Sequence, residues 1–460
     1  MKRRDSLQCI PMTLVTAGGM LGSIQSKAQC VRGCSGEGGL PAAMEYVGKV
    51  KDMLNSVRST QSEKILESAY AIARTVIRGN TCWGIWDQGH THTADIFPGR
   101  NGEPEIVTPG YDPDKAKKGD LVLISYSIGQ ETLDDIRKKG IFVIGAASPV
   151  NGDCRQSELL GGGQENIRVR PYADIWIDTD VTSYGALVGF PGMPSPLGPE
   201  SGPLYMTLFW MMLADVCRVL AIENRSVPVK GDEPPLARDA GRVKLADPLM
   251  DDFFDEVMLE FDLIGAELGA MRKIASMVAD TLLGGGTSYV YSRYSQSLAA
   301  EGTSRRGGFM FVRDTSDGNI KGTTGDSVVM GIYKPDDEAD LKNLDDFRKR
   351  GVRIASIGPV SRDFATPDKQ TVPKQTEAHI GRMTDTYGLF ALPGFERKVC
   401  PTSGILVTTM YWALCMEIME EMRARTGGDL PAVYFNGVLR PSTDYGYNRR
   451  MRVMQEGRGY

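Results

Sequence analysis

One stretch in the first half of the chain carries the residue types that hold small anions and hydroxylated ligands. The apolar run at residues 121–124 predicts a buried parallel strand, and Ser125, Ser127 and Thr132 follow it. A helical pattern starts near Thr132 and closes at Gly140. The first N–H groups of a helix are unpaired and its dipole is positive at that end, so this arrangement favours a bound anion. The alternative is that the hydroxyls only cap an ordinary crossover helix.

The chain contains three histidines, and two of them stand close together after an earlier strand pattern. His90 and His92 could bind a metal with Asp87 or Asp95, but this spacing on a loop is unspecific, and a hydrogen-bonded role is favoured. We therefore predict no metal and no other cofactor. His379 is interpreted as a satisfied surface or core histidine, the alternative being a histidine that reaches a site across an interface.

Composition and charge exclude several classes of protein. The 460 residues are 41% hydrophobic and 24% charged with a net charge of −5, which is typical of a globular chain of two or three domains. Long basic runs are absent, so we predict no nucleic-acid partner. No uninterrupted apolar stretch of 18 residues occurs in the body of the chain, so we predict no membrane span there. The eight cysteines form no CxxC pair, which disfavours a zinc site.

The first residues have the layout of an export signal. Basic residues at positions 2–4 precede a weakly apolar run at residues 10–24, and Ser26 and Ala28 are small. This order is typical of a signal peptide, and the arginine pair followed by a glycine-rich apolar run is similar to a twin-arginine signal. We predict a signal peptide at residues 1–28 and a periplasmic or otherwise exported protein, with a cytoplasmic protein as the alternative.

The strongest pattern in the chain is an internal repeat with a spacing near 206 residues. Four blocks recur in the same order, and this period is far too long for a solenoid. The pattern therefore predicts a duplicated domain. The matching blocks are residues 73–81 and 279–287, 119–124 and 325–330, 134–140 and 345–351, and 198–204 and 400–406.

Each copy predicts the same succession of elements. A long amphipathic helix comes first, at residues 44–77 and 253–283, and strands then alternate with helices until a long apolar helix closes the copy. Such alternation indicates a parallel sheet covered on both faces. The predicted fold class is α/β, with two three-layer α/β/α sandwiches that have parallel sheets and are related by internal duplication. The predicted segments are a linker at 29–43, a first domain at 44–225, a linker at 226–248, a second domain at 249–436 and a tail at 437–460.

Two loops and one helix start resemble the sugar isomerase (SIS) domain family. Residues 86–95 look like the Gly-x-Gly-His-Ser-His loop of an uncharacterised SIS group related to phosphoheptose isomerases. Residues 125–132 are similar to the family's Ser-x-Ser-Gly-x-Thr phosphate loop, with one residue interposed, and residues 198–201 resemble its Gly-Pro-Thr-Ser motif. The resemblance spans nearly the whole mature chain as two SIS-like domains.

The resemblance implies a five-stranded parallel sheet in each domain and a site for a phosphosugar or related sugar derivative at the strand ends. It implies that His90 or His92 acts as the general base of an aldose–ketose isomerisation, since histidine titrates near neutral pH, and that Glu131 or Asp95 assists. The substrate-binding residues would be Gly89, Thr91, Ser125, Ser127, Gly129 and Thr132.

Two functions follow as rival expectations. In the first, the chain is an isomerase that uses the site of its first domain. In the second, it is a non-catalytic sugar-derivative-binding or scaffold protein, because residues 331–337 of the second copy lack the Ser/Thr run and make that copy degenerate or specific for another ligand. Export argues for a ligand without phosphate, such as an amino sugar or a sugar acid. SIS relatives commonly pair their domains, so two copies in one chain can mimic that dimer. A homo-oligomer of the whole chain is also compatible with the sequence.

Overall fold

The computed structural model describes most of the chain from residue 40 onward. The predicted signal peptide at residues 1–28 and the loop at residues 86–100 lie outside the described residues. The described ranges are 40–85, 101–125, 127–147, 166–179, 186–193, 196–231, 235–236, 245–293, 298–299, 302–303, 308–316, 321–360, 370–381, 388–433, 449–451 and 453.

The first half begins with the long helix that the sequence predicts and continues as a sheet with crossover helices. Its helices are α1 (Ala42–Ile77), α2 (Gln130–Lys139) and α3 (Ser201–Ile222). Its strands are β1 (Cys82–Ile85), β2 (Val107–Pro109), β3 (Leu121–Ser125), β4 (Ser127–Gly129), β5 (Phe142–Ala147), β6 (Asn166–Arg168) and β7 (Ile175–Asp178). Strands β2-β1-β3-β5-β7 lie side by side in that order, all parallel, while β4 and β6 form a small antiparallel pair.

The second half repeats this topology. Its helices are α4 (Leu249–Leu263), α5 (Leu268–Leu283), α6 (Glu338–Lys349), α7 (Val372–Gln375) and α8 (Ser403–Thr426). Its strands are β8 (Ser288–Tyr291), β9 (Arg313–Asp314), β10 (Ser327–Gly331), β11 (Arg353–Ile357) and β12 (Ala378–Ile380). The order β9-β8-β10-β11-β12 is again fully parallel, so the predicted fold class is confirmed: this is an α/β protein with two five-stranded parallel sheets.

Alternate residues of the central strands face different hydrophobic cores, because successive side chains of a strand point to opposite faces. Leu121 and Leu123 of β3 join the large inner core, whereas Val122 and Ile124 join an outer core beneath α2. In the second half, Val329 faces the inner core and its neighbours on β10 face the outer core beneath α6. The inner core is continuous between the two halves and contains α1, α3, α4, α5 and α8.

One described helix, α3, is long and apolar enough to cross a membrane by length and composition, but 89% of its most apolar window is buried inside the protein. It packs against α1, α4 and α8. A helix that is apolar nearly all round is expected in a core of this kind.

An aspartate at the same position in both copies, buried in the first and partly exposed in the second, shows that they share a local structure. Asp120 Oδ1 accepts the backbone N–H of Thr81 at 3.0 Å, and Asp326 Oδ1 accepts that of Thr287 at 2.7 Å. In each copy the other oxygen accepts the N–H of the residue three positions before the aspartate, at 3.0 and 2.8 Å. The glycine before each aspartate has φ of 97° or 98°, a region that favours glycine. The two aspartates fix the start of equivalent strands, as duplication requires.

The single helix expected at residues 253–283 is in fact broken. A 3-10 turn at Ile264–Glu267 separates α4 from α5. Gly265 lies in this turn, and a Cβ placed there would stand 3.4 Å from Cε of Met44 at the start of α1. Glycine has a low helix propensity and allows this close packing, so the break adapts α4 to α1.

A buried ion pair within α3 also binds the first residues of α4 through hydrogen bonds. The Asp215 carboxylate of α3 lies 2.6 Å from Nε of Arg218, and both residues are buried. The same carboxylate accepts the N–H groups of Leu249 at 3.3 Å and Met250 at 3.0 Å, at the start of α4. Arg218 also donates to the Tyr70 hydroxyl of α1 at 3.2 Å. A side chain of the first half thus caps a helix of the second half.

The variant Asp215→Ala is expected to lower the free energy of unfolding by about 3–5 kcal/mol, because it leaves a buried guanidinium and two helix N–H groups without this acceptor. Urea denaturation followed by circular dichroism measures the change. The control Asp345→Ala removes an exposed partner of Arg348 and should cost no more than about 0.5 kcal/mol. Equal small losses in the two variants would contradict the assigned role of Asp215.

Candidate functional site

The carboxyl ends of the first sheet's strands meet at one edge, where the sequence predicts the ligand site. Ser125 is the last residue of β3 and pairs in register with Ala146 of β5. Strand β1 ends beside it at Ile85, and residues 86–100 follow. Because parallel strands bring their carboxyl ends together, Ser125 lies at the edge to which that loop is attached.

The stretch after Ser125 differs from the predicted open loop. Ser127–Gly129 forms strand β4, which pairs antiparallel with Asn166–Arg168. Helix α2 begins at Gln130, two residues before the predicted start at Thr132. The position preceding the helix is Gly129, and no side-chain cap is formed there. The alternative interpretation, in which hydroxyls of this stretch occupy the cap position, is therefore wrong, because the cap position has no side chain.

The candidate binding residues have contrasting environments. The side chain of Ser125 is fully buried, Thr132 is partly exposed in the first turn of α2, and Gly129 is partly exposed. The backbone of Ser127 belongs to β4. Gly89, His90, Thr91 and His92 lie outside the described residues, and these assignments stay predictions.

Glu131 has a structural role that competes with the catalytic role expected of it. It is exposed and lies in the first turn of α2, where a carboxylate stabilises the positive end of the helix dipole. An anion bound at the same helix end would be repelled by it, weakly because solvent screens exposed charges. Glu131 therefore tunes the potential of this edge whether or not it takes part in proton transfer.

The structure adds polar residues that sequence analysis did not assign to the site. Thr179 follows β7 and is fully buried, with its Oγ1 3.1 Å from the hydroxyl of Tyr205 on α3. Glu200 immediately precedes α3 and is also fully buried. A carboxylate at a helix start is favoured by the helix dipole. The internal repeat could have pointed to Glu200. The matching position of the second copy is Thr402, so an acid occurs at this position in the first copy alone.

The equivalent edge of the second sheet is organised differently. Asp337 precedes α6, and its Oδ1 accepts the N–H groups of Ala339 and Asp340, both at 3.0 Å. Arg293, which follows β8, donates to the same oxygen at 2.5 Å. A carboxylate of the protein thus occupies the helix end where an external anion would bind, and its charge is matched by a guanidinium.

A second aspartate at this helix end, Asp340, has a pKa that is raised towards neutral pH. Asp340 is 1% exposed and accepts a hydrogen bond from the Tyr291 hydroxyl at 3.1 Å, while Arg293 Nε lies 3.5 Å from it. Burial, followed by the charge of Asp337, raises the pKa of Asp340 to about 7. The cluster as a whole is a buried polar network on the outer side of the second sheet.

His379 lies in β12, where one ring nitrogen is hydrogen-bonded and the other, Nε2, is buried without a hydrogen-bond partner among the described residues. Its Nδ1 is 2.8 Å from Oγ of Ser356 on the neighbouring strand β11. Burial lowers the pKa of His379 to about 4, so the ring is neutral at physiological pH. Among the described residues, no group of three or more His, Cys, Asp or Glu side chains is placed to hold a metal ion.

Comparisons with known proteins give distant similarities. No family model matches the chain. A UPF0309 protein of Streptomyces griseus is 24% identical over 221 residues, which cover 40% of this chain and 83% of that protein. The C-terminal domain of glucosamine-fructose-6-phosphate aminotransferase from Francisella tularensis is 11% identical, with 86% of this chain and 99% of that one covered and a TM-score of 0.46. Glucosamine-6-phosphate deaminase from Thermotoga maritima is 9% identical, with 85% and 98% covered and a TM-score of 0.38.

The two five-stranded parallel sheets define an α/β protein whose architecture is consistent with tandem SIS-like domains. The UPF0309 protein is thus a distant relative of the chain.

The free energy of unfolding of the protein should depend on pH through Asp340, which lies at the second edge. In the unfolded chain Asp340 loses its proton near pH 4, as an ordinary aspartate does, whereas in the folded protein it keeps the proton to about pH 7. The free energy of unfolding therefore falls as the pH rises between these two values. Asp340→Asn should therefore gain stability relative to the native chain between pH 5 and pH 8, on the order of 2–4 kcal/mol. Denaturation at both pH values measures the gain.

The matched control for this measurement is Asp345→Asn, which changes an exposed carboxyl on the same helix. Its stability should follow the native chain at both pH values. Parallel pH profiles for Asp340→Asn and the native chain would show that Asp340 is ionised in the folded protein.

Proposed function

We propose that the chain binds a sugar phosphate or a related sugar derivative at the carboxyl edge of its first sheet, and that it binds one such ligand per chain. The observation that carries the proposal is the difference between two equivalent helix ends. Gly129 precedes α2 and brings no side chain, whereas Asp337 places its carboxylate on the first N–H groups of α6. Among the described residues, no side chain caps the helix at the first edge, so its first N–H groups can receive an anion, whereas Asp337 accepts two of them at the second edge.

The residues around the first edge suit a ligand with both anionic and hydroxyl groups. Thr132 lies in the first turn of α2 and is partly exposed, so its hydroxyl can supplement the helix N–H groups. Ser127 lies on the short strand that leads into this helix. Ser125 is fully buried, and we assign it to shaping the strand end beneath the ligand. This division of roles refines the equal binding roles that the SIS resemblance implies for the three hydroxyls.

We further propose that the bound sugar undergoes aldose–ketose isomerisation. This reaction moves a proton between neighbouring carbons and needs one base within hydrogen-bond reach of both. His90 and His92 remain the candidates that the resemblance implies. Glu131 is exposed to solvent. An exposed carboxylate is better suited to orienting the ligand by its charge than to acting as a catalytic base, which must be shielded from water. Glu200 is the buried acid that we add as a candidate for the partner in proton transfer.

A specific observation favours the rival function of a non-catalytic binder. At the second edge an internal carboxylate, paired with a guanidinium, occupies the helix end, so the fold persists with an edge of this kind. The rival function predicts binding with the same stoichiometry and no turnover.

Calorimetric titration with a hexose 6-phosphate and with the same free hexose tests the binding site. The phosphorylated sugar should bind with one molecule per chain, and Ser127→Ala and Thr132→Val should each weaken the affinity by about tenfold, the effect of one lost hydrogen bond to a charged group. Tyr333→Phe, at the second-copy position that matches Ser127, is the control and should leave binding unchanged. Tighter binding of the free hexose would favour the unphosphorylated class of ligand, and two molecules per chain would contradict the proposed closure of the second edge.

Turnover separates the isomerase from the binder. Interconversion of aldose and ketose phosphates, followed by NMR, should fall by at least about 100-fold in the variant of the histidine that acts as base, His90→Ala or His92→Ala. Glu131→Gln should change the apparent affinity more than the rate. Turnover that survives in both histidine variants would remove the histidine assignment, and binding without turnover in the native chain would establish the rival function.

A further inference from the structure

The amino edge of a sheet is the end at which its parallel strands begin, and at this end of the second sheet an ion-pair network joins three elements. Nη1 of Arg353, at the start of β11, lies 3.0 Å from Oδ2 of Asp280 on α5. Nη1 of Arg425, in the last turn of α8, lies 2.6 Å from Oδ1 of the same aspartate. Glu377 binds the first arginine at 2.9 Å and Glu421 the second at 2.6 Å. The charges of this edge are thus paired within the chain.

The first half has different residues at the positions of this network. The sheet register supports the match at Phe142, which starts β5 and pairs with the first residue of β3, just as Arg353 starts β11 and pairs with the first residue of β10. The acid and one base have exchanged places between the halves, and an aromatic ring replaces the other base. The matched pairs are Arg74 and Asp280, Phe142 and Arg353, and Glu223 and Arg425.

Three exposed apolar side chains of the first half lie at these positions or within one helical turn of them. Tyr70, Phe142 and Ile222 are between 37% and 47% exposed. The Tyr70 hydroxyl accepts from Nη2 of Arg218 at 3.2 Å, and Ile222 lies one turn after that arginine on α3. The network of the second half shows that the matching ends of helix, strand and closing helix meet at this edge. The three side chains therefore form one surface, which we call the amino-edge patch.

The amino-edge patch is specific to the first half. Contiguous exposed apolar surface on a folded protein indicates an interaction site, whereas isolated exposed apolar residues need no explanation. The second half has no apolar residue of this size at the three matching positions, so its amino edge is not a second patch of the same kind. The residues at those positions are Ser276, Arg353 and Ala424.

Two charged residues beside the patch are left for a partner. Arg74 and Glu223 are exposed, and among the described residues neither forms an ion pair, although their counterparts in the second half are bonded to each other. Nε of Arg74 donates to the carbonyl of Tyr70 at 3.3 Å, which orients the side chain without neutralising its charge. A two-fold axis through the patch would bring Arg74 of one copy to Glu223 of another, and the reverse.

We propose that two copies of this chain form a dimer through the amino-edge patch, with Arg74 of each copy bound to Glu223 of the other. A second copy fits this surface because the patch carries both charges of the pair and is therefore complementary to itself. The apolar side chains would be covered at the centre, and the charges at the rim would set the register. The proposed ligand site lies at the opposite end of the strands, so association leaves it open.

The dimer should depend on concentration, because three side chains supply only part of the roughly 800 Å² per partner that a stable interface buries. Sedimentation velocity of the full chain between about 1 and 100 μM should show a shift from monomer to dimer. A native chain that remains a monomer over this range would overturn the proposal.

Substitutions in the patch test its location. Phe142→Ser and Ile222→Ser should each weaken association by at least about tenfold, because each removes an apolar side chain that the dimer covers. The matched control is Leu283→Ser, which changes a side chain that is 47% exposed, as Ile222 is, at the end of α5 in the second half. The control should leave association unchanged, and an equal loss in the control would overturn the assignment. Circular dichroism verifies that each variant is folded.

Charge reversal tests the pairing between copies. Arg74→Glu and Glu223→Arg should each weaken self-association by about tenfold at low ionic strength, because two attractive pairs become like-charge pairs. An equimolar mixture of the two variants should associate as the native chain does, since every acid then faces a base in the mixed dimer. Recovery in the mixture cannot arise from a contact within one chain. A mixture that associates no better than the separate variants would overturn the proposed pairing.

Discussion

The burial of two apolar helices is the constraint on which the structure depends. In α3, 20 of 22 residues are buried, and in α8 18 of 24 are buried, including side chains on all sides of each helix. One sheet can cover only one side of a helix, and α3 is covered on its other sides by α1, α4 and α8. The closing helix of each half is therefore buried partly by the other half. The duplicated unit is stable as a pair because separation would expose these helices to water.

This shared interior allows the two outer edges to diverge. The inner faces of both sheets belong to one core, and changes there would be felt by both halves. The carboxyl edges of the sheets contribute little to that core, so their residues can change at small cost to the fold. The first edge has Gly129 at the start of its helix, and the second has Asp337 paired with Arg293. Among the described residues, the same backbone thus presents a helix start without a side-chain cap in one copy and a helix start capped by a paired carboxylate in the other.

The polar groups of the two halves follow the same division. Asp120 and Asp326 hold equivalent backbone amides and are kept in both copies, because the strands that they position exist in both. Asp215 caps a helix of the opposite half and serves the contact between the halves. Glu200 occurs in the first copy alone, where it is buried immediately before α3. The aspartates that both copies share thus hold equivalent backbone positions, whereas Glu200 distinguishes the first copy from the second.

The sequence by itself determined the fold class and the duplication. Periodicity places the strands and helices, as the long helix Ala42–Ile77 and the buried strand Leu121–Ser125 illustrate, because burial on one or two faces leaves a regular apolar pattern. Tertiary packing decided the rest. The break at Ile264–Glu267 depends on contact with α1, and β4 depends on pairing with a strand distant in sequence. The pairing of Asp337 with Arg293 and the hydrogen bond from Met250 to Asp215 also join residues from separate segments, and such contacts leave no local pattern to be recognised.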